Sequence, residues 1–207
     1  MTTATLTPQT IQTPVVVNVA AELSGTVWVG RFLAQDTTAF LKPDFQLSVD
    51  RFISAMRAGG ARVRISNTLR PKERAYLMHW AHKIYRNNVN PATVPSMPGV
   101  NIDWVHATLE QSVRAARNMV HGFVIQNLGA NTPPALNTLH TIGEAIDMSI
   151  SWSGNLTVAK MDSTLVTIDT QPRTGMNLML KQVGRTYGVT KFVGGNADKP
   201  HWSTTGH

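Results

Sequence analysis

Helical periodicity fills the first half of this chain and short β-like runs fill the second, and that order limits the folds open to it. Phe45, Val49, Phe52, Ile53 and Met56 recur on one face at helical spacing. Ser48 is the expected N-cap of this helix, and Gly59-Gly60 closes it. Arg62-Val63-Arg64-Ile65-Ser66 then alternates like a half-buried strand. Pro71 suits the first turn of a second helix reaching to about Arg86. A third helix is expected over 104–121, with Val105, Leu109, Val113, Ala116 and Val120 on one face. Strand-like runs follow the Gly/Pro/Asn-rich loop 127–137, at 145–152, 156–159, 165–169 and 189–193, with a helical stretch over 175–187. Val27, Val29 and Phe32 read as a short strand or hairpin piece. Helices first and strands later predict an α+β fold, with a small antiparallel sheet packed against several helices.

A chain of 207 residues can bury roughly 70% of the surface its unfolded form exposes, so one core needs no covalent staple. None is possible, because the chain has 0 cysteines. That excludes disulfides, thiolate zinc fingers, iron–sulfur clusters and Cys nucleophiles, and leaves any metal site to His, Asp and Glu. No apolar run is long enough to span a membrane. The net charge of +7 predicts an anionic partner. The excess of Lys and Arg lies in residues 51–125. Tyr76, Trp80 and Tyr85 stand among Arg70, Arg74, Lys83 and Arg86, but they fit a packed helix as well as a nucleic-acid stripe, and no nucleic-acid partner is expected. Residues 1–24 are rich in Thr, Gln and Pro and read as a flexible leader on a single domain over 25–207. Met1 is followed by no basic region, so no export signal is expected.

Two local sequences carry chemistry: Thr138-Leu139-His140-Thr141-Ile142-Gly143-Glu144-Ala145-Ile146-Asp147 and Asp198-Lys199-Pro200-His201-Trp202. Neutral imidazole and carboxylate are good Zn²⁺ ligands, and three protein ligands with a fourth place open is the arrangement of a catalytic zinc. His140, Asp147 and His201 are the candidate ligands, and Asp198, three residues before His201, the candidate base. Gly143 and Ala145 are small enough to let the backbone turn between the first two ligands. His79 and His82, three apart on the second helix, read as ordinary helix histidines, and Glu144 as a solvent-facing neighbour of the motif.

This pattern, a hydroxyl residue, then H-x-x-G-x-A-x-D, then D-x-x-H-W downstream, resembles the M15 zinc peptidases. These are D-alanyl-D-alanine carboxypeptidases and phage L-alanyl-D-glutamate endopeptidases, in a superfamily that also takes in the hedgehog signalling domain. Ser66-Asn67-Thr68-Leu69-Arg70 is similar to the family's arginine-bearing turn before a helix. The resemblance implies a hedgehog-like sheet carrying a zinc site. It implies Arg70 as a group that holds the substrate carboxylate or oxyanion, and Thr138 and Trp202 as residues beside the substrate. It further implies a monomeric, endolysin-type endopeptidase or carboxypeptidase acting on peptidoglycan stem peptides. Such an enzyme is made in a host cytoplasm and reaches the cell wall after lysis-associated release or by another machine. The competing expectation is a non-catalytic peptidoglycan-binding module that keeps the zinc fold.

Overall fold

The computed structural model describes residues 20–207, so the expected leader lies outside the described residues except for 20–24. The helices are α1 (Pro43–Ala58), α2 (Lys72–Asn87), α3 (Leu109–Gly122) and α4 (Leu178–Thr186). The strands are β1 (Glu22–Leu23), β2 (Arg62–Asn67), β3 (Ile102–Asp103), β4 (Ala145–Ser151), β5 (Leu156–Ala159), β6 (Leu165–Ile168), β7 (Thr190–Lys191) and β8 (His201–Ser203). A four-stranded sheet runs in the order β2-β4-β8-β7, antiparallel throughout. β5 and β6 form an antiparallel hairpin, and β1 pairs with β3 in parallel. The fold is α+β, as the order of helical and β-like runs predicts.

Helix α1 buries Phe45, Val49, Phe52, Ile53 and Met56, the five residues whose spacing marks it. They pack on the inward side chains of the sheet, Ile146, Met148, Ile150 and Trp202, and on Leu156, Leu180 and Val183. Each of these large side chains contributes roughly 1.5–3 kcal/mol by leaving water. The C-terminal end of α1 touches the hairpin so closely that a Cβ on Gly59 would stand 2.2 Å from the Thr157 carbonyl oxygen. A second core joins Tyr76, Leu77, Ala81 and Ile84 of α2 to Ala116, Met119 and Val120 of α3, with Trp28 and Trp104 closing it.

Several boundaries differ from expectation for local reasons. Helix α1 begins at Pro43, and Ser48 lies inside it, its hydroxyl donating to the Asp44 carbonyl. Helix α3 begins at Leu109, because the Thr108 hydroxyl accepts from the Gln111 amide and caps it there. Residues 26–30 form a 3₁₀ turn rather than a strand; it carries Trp28 into the second core. Glu22–Leu23 of the expected leader pairs with β3, and Ser24 is buried, its hydroxyl hydrogen-bonded to His106.

Candidate metal centre

The 3₁₀ turn Leu139–Ile142 delivers His140, and the chain then reverses into β4, which delivers Asp147. Gly143 makes the reversal. It sits at φ +72°, and a Cβ there would stand 3.0 Å from the Lys42 amide and 3.1 Å from the Phe40 carbonyl. Its small size serves this approach to residues 40–42. Strand alternation does the rest. Ile146 and Met148 point into the α1 core, so Asp147 points to the opposite, open face. Asp147 pairs in register with His201 across the β4–β8 ladder, which brings the two side chains together on that face.

His140 Nε2, His201 Nδ1 and Asp147 Oδ1 form a small triangle. The edges are 3.1 Å between the imidazoles and 3.3 Å from each of them to the carboxylate. Ligands about 2.0–2.1 Å from a tetrahedral ion stand roughly 3.3 Å apart, so one small divalent cation fits with no rearrangement. The hydrogen bonds behind the triangle set the lone pairs. His140 Nδ1 lies 2.7 Å from the Thr68 carbonyl and His201 Nε2 lies 3.0 Å from the His207 carbonyl. A carbonyl can only accept, so both of those nitrogens carry the proton and the neutral rings aim bare lone pairs inward. Asp147 Oδ1 is buried with no hydrogen-bond donor, whereas Oδ2 accepts from the Asn67 amide at 3.2 Å. Three electron-rich atoms at this separation repel unless a cation or a proton sits among them.

When a proton rather than a cation sits in the triangle, burial works to raise the Asp147 carboxyl, but donation from the His140 and His201 imidazoles and from the Asn67 amide outweighs it and holds the group well below the usual carboxylate range. Burial works to lower His201, but Asp147 and the His207 carbonyl outweigh it and raise the ring above its ordinary value. Burial raises the Asp198 carboxyl, and the neighbouring Asp147 charge adds to that. Burial lowers Arg70, in part offset by Asp147 and Asp198.

His140, Asp147 and His201 line a cavity of about 590 Å³ with Arg70, Thr138 and Asp198. Asp198 Oδ2 is 3.9 Å from His201 Nδ1. Arg70 is held by its backbone amide, which donates to the His140 carbonyl, while its guanidinium enters no ion pair among the described residues. The Thr138 hydroxyl is buried and has no hydrogen-bond partner among the described residues. Of the residues expected beside the substrate, Trp202 is not there. Strand alternation that turns His201 to the cavity turns Trp202 into the core, where it is 0% exposed and meets the Phe52 ring at a 59° tilt, 5.5 Å between centres. Glu144 pairs with Lys42 away from the cavity. His79 bonds the Pro134 carbonyl and His82 is fully buried in α2, so neither joins a metal group among the described residues.

Four supporting groups have no signature in the sequence: the Asn67 amide, the Thr68 and His207 carbonyls and the Lys191 ammonium. Only Asn67 and Thr68 lie inside a motif, the turn before Arg70.

The fold and the site together define an α+β protein with a buried His/Asp/His group that could hold a metal ion. No protein-family model matches the chain, and a search of the curated proteins finds no match.

Proposed function

We propose that this protein is a zinc-dependent peptidoglycan hydrolase of the M15 type, cutting an amide bond in the stem peptide. The observation that carries the reading is the convergence of three lone pairs at tetrahedral spacing in a cavity that also holds a carboxylate and an unpaired guanidinium. Two imidazoles and one carboxylate are a donor set that zinc accepts readily. When bound, zinc supplies Lewis acidity to the scissile carbonyl and acidity to the attacking water.

The chain's own groups would do the remaining work. Asp198 borders the ligand triangle without belonging to it, and burial raises its carboxyl above the ordinary value, the direction that favours taking up a proton. In this reading it removes the proton from the attacking water and returns it to the leaving amine. The Arg70 guanidinium, free of any carboxylate, donates to the developing oxyanion or to a carboxylate of the substrate. The unpartnered Thr138 hydroxyl is a hydrogen bond waiting for a peptide group. The excess positive charge of residues 51–125 favours approach to an anionic cell envelope. Among the described residues no helix is long and apolar enough to cross a membrane. Access to the wall would follow lysis or delivery by another machine.

The test is mass spectrometry of muropeptides after digestion with zinc-loaded protein. Wild type is expected to release stem-peptide fragments, and Asp198→Ala to bind zinc and release none. Wall binding without release by the zinc-loaded wild type would establish a binding module instead.

A further inference from the structure

Lys191 is a cation buried to 3% exposure at the edge of the sheet, and among the described residues no carboxylate pairs with it. Its ammonium donates to two backbone carbonyls, that of Asp198 at 3.0 Å and that of His201 at 2.8 Å. Its ammonium also lies over the Trp202 ring, 5.6 Å from the ring centre. The two carbonyls mark the ends of the segment that carries both the proposed base and the third metal ligand. The His201 end is also held by the ladder, through the Phe192 amide, which donates to the same carbonyl at 3.1 Å. The Pro200 carbonyl accepts from the Met148 amide at 2.9 Å, but among the described residues no backbone amide donates to the Asp198 carbonyl. Asp198 closes the 3₁₀ turn Gly195–Asp198, which buries no side chain. A turn without buried contacts is locally labile unless hydrogen bonds hold it.

We propose that Lys191 is a positioning residue that ties the turn bearing Asp198 to the strand bearing His201, and so fixes how far the base stands from the metal. The inference rests on the functional reading above. An ammonium suits the task because it offers three donors on a flexible stem and accepts nothing, so it can bridge two carbonyls that face the same way. A neutral side chain of similar length would fill the space and leave the turn free to swing.

The experiment compares full-length, zinc-loaded wild type with Lys191→Met and Lys191→Arg in three readouts. These are zinc affinity against a chromophoric chelator, backbone order parameters of residues 195–198, and kcat and KM for stem-peptide cleavage. For Lys191→Met, zinc affinity is expected to stay within about threefold of wild type, because neither lost hydrogen bond is made to a ligand side chain. The order parameters are expected to fall from about 0.85 to below about 0.6. A base displaced by about 1 Å should lower kcat by about 10²-fold at nearly constant KM. Lys191→Arg, which keeps charge and donors, should recover most of both losses. Unchanged order parameters with unchanged kcat overturn the proposal, as does loss of zinc in step with kcat, or failure of arginine to rescue. Should wild type prove inactive, the functional reading fails, and the zinc and order-parameter readouts still decide on the lysine. If Lys191→Met does not fold, Lys191→Gln takes its place in the same comparison.

Discussion

At the scale of single residues, the centre depends on groups that fix protons as much as on the ligands. Thr68 and His207 offer only carbonyls, so they dictate which nitrogens of His140 and His201 are bare. Asn67 occupies Asp147 Oδ2 and leaves Oδ1 to the triangle. Removing that donor in Asn67→Ala should weaken metal binding by about 10- to 100-fold while the fold persists, measured by competition with a chelator. Protons compete with the metal for the same lone pairs. His201 is raised above its ordinary value, so it is charged in the metal-free protein at mildly acid pH and must lose a proton to bind. Metal affinity should therefore fall as the pH is lowered from 8 to 6, and a flat titration across that range would contradict the assignment. The three candidate ligands and Asp198 are legible as residues, because imidazoles and carboxylates are the metal-binding groups left to a chain without cysteine. Lys191 and His207 are not, because their roles arise only when β7, β8 and the residues after β8 are brought together.

At the scale of elements, periodicity identified most of the pieces and local bonds fixed their ends. The apolar face of α1 named its own buried residues, yet the start of the helix moved from Ser48 to Pro43. The reason is that Pro43 supplies a preset φ and Asp44 a favourable first-turn charge, and neither registers in the apolar spacing. Residues 26–30 carry an alternation that mimics a strand, but the segment coils into a 3₁₀ turn that buries Trp28. Trp202 shows the same logic at the site. Its neighbour His201 faces the cavity, so the two-residue period of β8 commits the indole to the core. The reversal between the turn Leu139–Ile142 and β4 is sensitive to change. Gly143→Ala forces a side chain into a left-handed backbone and toward the residue 40 carbonyl. It should cost about 1–3 kcal/mol by denaturant unfolding, and it should weaken metal binding by shifting His140 against Asp147.

At the scale of the whole molecule, two cores meet around one open sheet face. The α1 core holds β4 and β8 in register from behind, and the α2–α3 core carries the segment that enters α2 just after Arg70. The α+β class followed from the order of helical and β-like runs. The strand order β2-β4-β8-β7 did not, because pairing between β2 and β4 joins segments some eighty residues apart and no local signal announces it. The centre links three separate stretches of chain through the turn at 139–142, β4 and β8, so a metal that binds only the folded state should stabilise all of it. At a free concentration about 100 times Kd the gain is about 2.7 kcal/mol, visible as a rise in Tm on adding zinc and a fall on adding a chelator. His140→Ala should abolish the response.

The central claim is that His140, Asp147 and His201 hold one metal ion. Metal analysis by mass spectrometry after zinc loading and removal of excess ion tests it most directly. Wild type is expected to retain about one zinc per chain and Asp147→Ala essentially none, as befits a site of three protein ligands that loses its only anionic one. A wild-type protein that retains no zinc, or an Asp147→Ala variant that retains as much as wild type, would contradict the account.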